Sequence, residues 1–199
     1  MRISAILLAA GDGTRFDGGD KLLALLAGVP VIVHAASALR HAQVGELIAV
    51  TRSCDEARRR ALAPFGPRFI INDAAGQAAS LARAIVAVDE DSAGAIVMPA
   101  DMALMQQQIV ERLVDRFVEL RGQAVVAAGI DGSPRPPVVW PRALFEDLAR
   151  LEGDSGGRQL FQRYRDQLDL LEIAAADQEA FTDIDTPDDL ARAMRLIIK

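Results

Sequence analysis

Apolar positions along the chain follow two rhythms. Short, nearly unbroken apolar runs at Ile3–Leu8, Leu47–Thr51, Arg68–Ile71 and Ala95–Met98 are flanked by turn residues or charge, which predicts buried strands. Between them, apolar residues recur at helical spacing over Pro30–Arg40, Asp55–Ala63 and Gln77–Val88. Strands alternating with helices predict parallel βαβ units, with helices covering both faces of a sheet. Beyond Asp101 the rhythm loosens. A helix is expected over Gln106–Arg121, a strand over Ala124–Ala128, and a strand over Val138–Trp140 entered through Ser133-Pro134-Arg135-Pro136-Pro137. Helices follow at Arg142–Leu151 and about Gly156–Arg165, then a strand at Leu168–Ile173 and a helix at Pro187–Ile198. With no repeat and no dividing linker, residues 1–199 read as one domain.

Composition narrows the class. The chain is 51% hydrophobic and 25% charged, as a globular protein is, and its net charge of -6 argues against a nucleic-acid binder. The single cysteine, Cys54, leaves no disulfide framework or multi-cysteine metal site. Ile3–Ala10 stops at Gly11-Asp12-Gly13 without a cleavage pattern, and no run reaches the roughly 18 apolar residues of a membrane span. A cytoplasmic protein with no membrane contact is expected.

The candidate chemistry begins directly after the first strand, at Leu8-Ala9-Ala10-Gly11-Asp12-Gly13-Thr14-Arg15-Phe16, followed by Lys21. Glycines let backbone N–H groups approach a phosphate chain, and Arg15 and Lys21 add positive charge. The segment lacks the glycine spacing and Gly-Lys-Ser/Thr ending of a Walker A loop. Bulky Phe16 stands where a dinucleotide fingerprint needs a third small residue.

Two acidic positions fit a metal beside such a loop. Asp101 follows the strand Ala95–Met98 in Met98-Pro99-Ala100-Asp101-Met102, and reads either as a Mg²⁺ ligand or as a helix cap. In Asp183-Ile184-Asp185-Thr186-Pro187-Asp188-Asp189, Thr186 is expected to cap the last helix and Pro187 to open it, with Asp188 and Asp189 complementing its dipole. That leaves Asp183 and Asp185, which alternation about Ile184 puts on one face. The remaining polar residues read as structural: His34 and His41 without acidic partners, Arg58-Arg59-Arg60 as a solvated helix face, Trp140 and Phe145 as packing.

Leu8–Phe16 with Lys21-Leu22-Leu23 resembles the nucleotide-binding signature of the MobA-like nucleotidyltransferases, and its Leu-Ala-Ala-Gly form is most similar to the molybdenum cofactor cytidylyltransferase branch. The resemblance extends to Pro99-Ala100-Asp101-Met102, departing at Ala103 where proline is usual, and to Asp183-Ile184-Asp185-Thr186-Pro187. It implies a doubly wound, three-layer α/β/α sandwich of the nucleotide-diphospho-sugar transferase type, with a mostly parallel sheet and an antiparallel edge. Residues 1–102 would form a nucleotide-binding half and 103–199 an acceptor-binding half. Leu8, Ala9, Ala10, Gly11, Gly13, Thr14, Arg15 and Lys21 would bind nucleotide. Asp101 and Asp185 would hold Mg²⁺, supported by Asp183, with Lys21, Arg15 and Asp101 catalytic.

Asn72–Leu81 resembles the family's loop beside the nucleobase, where Ser80 would act; a helix-start role for Ser80 stands equally. Gly153-Asp154-Ser155-Gly156-Gly157-Arg158 reads as a helix start capped by Asp154 or Ser155, and is also similar to a family segment facing the acceptor, implying Asp154 and Arg158 as contacts. At Arg135-Pro136-Pro137-Val138 the chain departs from the branch: Pro136 replaces a polar residue, with Arg135 the candidate to compensate. The implied reaction is transfer of CMP from CTP to molybdopterin, in transient contact with a molybdenum hydroxylase or its chaperone. GTP or another nucleotide with a different phosphorylated acceptor is an alternative. A non-catalytic chaperone that binds a nucleotide or cofactor is the alternative from another class.

Overall fold

The computed structural model describes residues 1–11, 16, 19–40, 44–74, 76–153 and 157–197. In chain order the elements are β1 (Ile3–Leu8), β2 (Leu25–Leu26), β3 (Val29–Pro30), α1 (Val31–Ala38), β4 (Val44–Thr51), α2 (Glu56–Leu62), β5 (Arg68–Ile71), α3 (Gln77–Val86) and β6 (Gly94–Pro99). They continue with α4 (Gln107–Glu119), β7 (Val125–Ile130), β8 (Ser133–Pro141), α5 (Phe145–Ala149), α6 (Arg158–Arg163), β9 (Leu168–Glu172) and α7 (Pro187–Ile197).

Seven strands form one sheet in the order β5-β4-β1-β6-β8-β7-β9, parallel except for β8. Strand alternation sends side chains to two cores. Ala5 and Leu7 join Ile96 and Met98 on the face covered by α1, α4 and α7. Ile6, Val97 and Trp140 face the layer formed by α3, α5 and α6. The result is the expected three-layer α/β/α arrangement, and the run of fully buried residues in β1 is what coverage on both faces demands.

One expectation is corrected. The antiparallel strand is interior rather than an edge, since β8 lies between β6 and β7 while β5 and β9 form the edges. A two-residue turn at Asp131–Gly132, with φ of 52° and 69°, folds β8 back on β7 and so inserts it beside β6. The prolines are tolerated because of where they fall. Only Val138–Pro141 of β8 pairs with β6, so Pro134, Pro136 and Pro137 lie on the overhang, where no β6 ladder requires their missing N–H.

From β1 the chain runs outward to β4 and β5, then returns to β6 on the other side of β1. That reversal is a topological switch point, and it opens a crevice beyond the carboxyl ends of β1 and β6. The loop after Leu8 and the segment after Pro99 both emerge there.

The sheet tolerates little change where helix and strand meet. A Cβ on Gly94 would lie 2.5 Å from Phe117 Cζ and 2.7 Å from the Trp140 carbonyl oxygen. Backbone on one side and a fully buried ring on the other leave no room. Gly94→Ala is therefore expected to cost about 1–3 kcal/mol, read as a lower midpoint in urea denaturation.

Candidate active site

Lys21 is placed by the turn that follows the glycine loop. Asp20 accepts a bond from the Leu22 N–H through its carboxylate at 3.0 Å, and from Leu23 and Ala24 through its carbonyl at 3.0 and 3.1 Å. These bonds wind residues 20–24 into a compact turn that directs Lys21 inward, leaving it 8% exposed. Asp101 is set by the end of β6, where the Ala100 N–H donates to the Leu8 carbonyl at 3.0 Å and links the two strand ends.

The C-terminal segment reaches the same point by a backbone bond from the Ile184 N–H to the Asp101 carbonyl at 3.1 Å. Ile184 is fully buried, so Asp183 and Asp185 flank an anchored residue. A capping box then fixes Asp185 from the other side. Thr186 Oγ1 donates to Asp189 Oδ2 at 2.7 Å and accepts from the Asp189 N–H at 3.2 Å. Asp189 also accepts from the Asp185 and Thr186 N–H groups. The Thr186 hydroxyl bond, aided by these backbone donors, holds the Asp189 carboxyl below the usual range.

Lys21 Nζ lies 2.7 Å from Asp101 Oδ2 and 2.7 Å from Asp185 Oδ1. The expected catalytic lysine and both expected metal ligands thus meet at one point, from chain positions 80 and 164 residues apart from the lysine. Burial alone would depress the Lys21 pKa, but the Asp101 and Asp185 carboxylates outweigh it and hold the ammonium above the ordinary lysine value. Asp101 does not cap α4, which starts at Gln107 after Gln106.

Asp183 joins the same electrostatic cluster although its residue keeps an exposed edge. Its carboxyl is pushed up to about 6, first by desolvation, then by the charges of Asp101 and Asp185, with Lys21 and Arg135 opposing. Among the described residues, the Asp101, Asp183 and Asp185 carboxylates thus lie within one electrostatic cluster with Lys21, and Arg135 acts on Asp183 from its edge. Asp101 Oδ1 is buried without a hydrogen-bond partner among the described residues. An orphaned hard oxygen in an acid-rich site fits a hard divalent cation. Among the described residues no three His, Cys, Asp or Glu side chains form a fuller metal cage.

The other expected residues fall as follows. Leu8, Ala9, Ala10 and Gly11 form the entry to the loop at the end of β1. Gly13, Thr14, Arg15 and Asp154 lie outside the described residues, as do His41 and the side chain of Arg158. The Ser80 hydroxyl is buried, accepting from Asn72 Nδ2 at 3.0 Å and donating to the Gly76 carbonyl at 3.5 Å. Arg135 stands exposed on the overhang of β8. Beside it, Pro136 helps line an apolar cavity of about 60 Å³ with Leu8, Pro99, Trp140 and Phe161. Trp140 is buried and stacks on Phe161 with ring centroids 5.5 Å apart, a packing role as expected. His34 hydrogen bonds to the Leu26 carbonyl oxygen at 2.9 Å, also a structural role.

Arg58 overturns its expectation. It is 2% exposed rather than solvated, and it touches the glycine loop directly. The signal was present as helical spacing: Arg58 and Leu62 stand four apart and share the buried face of α2, while Arg59 and Arg60 turn away from it.

Comparison with known proteins places this geometry. The family model described as "MobA-like NTP transferase domain" matches residues 5–168. A molybdenum cofactor guanylyltransferase of Burkholderia vietnamiensis is 30% identical, covering 97% of this chain and 96% of the relative. The crystal structure of Rv0371c from Mycobacterium tuberculosis superposes with a TM-score of 0.84 at 25% identity, covering 98% and 99% of the two chains; that protein has also been solved in complex with manganese. A nucleotidyl transferase from Methanothermobacter shares the fold with a TM-score of 0.84 at 23% identity, covering 99% of this chain and 98% of the other. Among the described residues no helix is long and apolar enough to cross a membrane.

The raised pKa of Asp183 has a sign that can be measured. The folded value of about 6 stands above the ordinary aspartate value of 3.8, so as pH rises the unfolded chain loses this proton first. The favourable contribution of protonated Asp183 is complete below about 4 and is lost as pH rises through 6. In chelator-treated protein, Asp183→Asn is expected to melt at a higher temperature than wild type at pH 7.5. The difference should shrink towards zero at pH 4, as read from paired thermal melts.

Proposed function

The chain belongs to the MobA-like NTP transferase family, and from that premise we propose that it transfers the cytidylyl group of CTP to the terminal phosphate of molybdopterin, releasing pyrophosphate. The observation that carries the chemistry is Lys21 held between Asp101 and Asp185 at the mouth of the switch-point crevice. An acceptor phosphate oxygen forms a bond to the α-phosphorus, and the bond from that phosphorus to the bridging oxygen of the β-phosphate breaks. The acceptor phosphate is already ionised at neutral pH, so no strong general base is required. Catalysis then rests on alignment and on charge stabilisation.

In this reading Asp101 and Asp185 hold Mg²⁺, which supplies electrostatic stabilisation of the phosphates when bound. The orphaned Asp101 Oδ1 and the acid-rich cluster support that assignment, as does the manganese complex of Rv0371c. Lys21, with Arg15, then neutralises charge developing on the pyrophosphate. Gly13 and Thr14 join Leu8–Gly11 in the nucleotide loop, and Ser80 shapes the neighbouring base loop. Arg135, Asp154 and Arg158 receive the acceptor, and the product passes to a molybdenum hydroxylase or its chaperone.

Support for the base comes from Ala10, which makes the loop Leu-Ala-Ala-Gly. A second reading, GTP as donor, is favoured by the guanylyltransferase name of the Burkholderia relative. The test is pyrophosphate release from purified protein supplied with Mg²⁺, molybdopterin and either CTP or GTP. Release that requires all three components and is faster with CTP is the expected result. Faster release with GTP moves the assignment to the second reading, and absence of release with either nucleotide sinks both.

Lys21→Ala is expected to lower turnover by on the order of 10²–10³-fold, the usual effect of deleting one preorganised charge from such a site. With Mg²⁺ present its melting temperature should stay near that of wild type. A folded Lys21→Ala protein with wild-type turnover would remove the lysine from the mechanism.

A further inference from the structure

We propose that Arg58 is a positioning residue for the nucleotide loop, a guanidinium staple that ties the loop's entry to its exit and so sets Lys21 against the triphosphate. The inference rests on the reading of residues 8–21 as a nucleotide loop. Its evidence is the bonding of one buried side chain. Arg58 Nη1 donates to the Ala9 carbonyl at 2.6 Å and to the Gly11 carbonyl at 3.0 Å, both on the entry stem. On the exit stem, Arg58 Nε and Nη2 donate to the two carboxylate oxygens of Asp20, at 2.6 and 2.9 Å. The same Asp20 carboxylate accepts from the Leu22 N–H and so shapes the turn that carries Lys21.

The residue type is required by this geometry. A guanidinium presents donors in a rigid planar fork, able to serve two carbonyls and a bidentate carboxylate together. An ammonium at the same place is a single point and cannot span both stems. Arg58 is also expensive to bury, since an unpaired charge at 2% exposure would be strongly destabilising. Asp20 and Asp55, the latter 3.2 Å from Nη1, neutralise it. Asp55 is itself held by the Arg52 N–H at 2.9 Å. The staple thus leads from α2 into the loop through groups that are already fixed.

Its consequence is specific. The entry carbonyls Ala9 and Gly11 point at Arg58, which turns part of the loop backbone towards the helix and fixes how the stem leaves β1. Losing the staple frees the stems without touching Asp101, Asp185 or the acceptor side. The deficit should therefore fall on nucleotide affinity and on the alignment of Lys21, and not on the acceptor.

The test compares wild type with Arg58→Ala and Arg58→Lys, the lysine variant retaining charge and bulk should alanine fail to fold. Two readouts are taken. Amide hydrogen exchange, free of any assumption about activity, is expected to accelerate at least tenfold at Leu22–Ala24 in both variants, with β6, β7 and α4 unchanged. Turnover should show the KM for the nucleotide raised about tenfold or more and the KM for the acceptor unchanged. Millimolar guanidinium should partly restore Arg58→Ala, whereas ammonium should not. Wild-type exchange at Leu22–Ala24 in a folded variant, or an equal loss of protection throughout the sheet, overturns the proposal. So does a rise in acceptor KM matching that for nucleotide. If wild-type protein itself turns over no nucleotide, the functional reading fails, and the exchange measurement still decides whether Arg58 staples the loop.

Discussion

Three aspartates crowded around one lysine impose the constraint that the rest of the molecule answers to. Among the described residues, Asp183 is repelled by Asp101 and Asp185, and Lys21 and Arg135 offset only part of that effect. Such a cluster does not gather by its own attraction, so the backbone must enforce it. The enforcement is visible in short links: Ala100 to Leu8, Ile184 to Asp101, and the capping box through which Asp189 receives the Asp185 amide. Each link is made by main chain or by a helix terminus. The site therefore retains its shape while its carboxylates stay under electrostatic stress. In the proposed reading a divalent cation relieves that stress, and its remaining positive charge draws in the anionic polyphosphate.

The sheet makes this enforcement possible. Because β1 and β6 are central and buried on both faces, their carboxyl ends are rigidly spaced, and loops leaving them inherit that spacing. The interior position of β8 extends the same platform towards the side proposed to receive the acceptor. Its proline-bearing overhang projects past β6 at the end of the sheet where the site lies. Prolines suit that place, since they need no ladder partner and hold a stiff rim beside Pro99 and Leu8.

What could be read directly from the chain divides along the range of the interactions. The strands β1, β5 and β6, the helices α3 and α4, and the convergence expected of Lys21, Asp101 and Asp185 all depend on local pattern or on motifs with their own chemistry. The β2–β3 hairpin was not legible, because Ala27 adopts a φ of 51° in its turn and alanine is no marker for that conformation. The antiparallel β8 was legible as a strand from Val138, yet its start at Ser133 and its place inside the sheet depend on pairing with β7 and β6. Arg58 was hidden by its neighbours. In a run of three arginines, charge composition suggests solvent, and only the helical phase relative to Leu62 separates the buried member from the exposed ones.

The two halves of the site differ in how they are built, and the difference bears on specificity. On the side proposed to bind nucleotide the groups are buried and multiply bonded: Lys21 between two carboxylates, Arg58 across both loop stems, Asp20 serving side-chain and backbone donors at once. A substitution there disturbs several bonds together, so change is resisted. On the side proposed to receive the acceptor, Arg135 is exposed on an overhanging strand and Pro136 borders an apolar cavity. Substitutions there alter contacts without breaking the machinery beneath. In the proposed reading, a chain built in this way keeps its nucleotidyl-transfer chemistry constant while the acceptor is tuned at the rim.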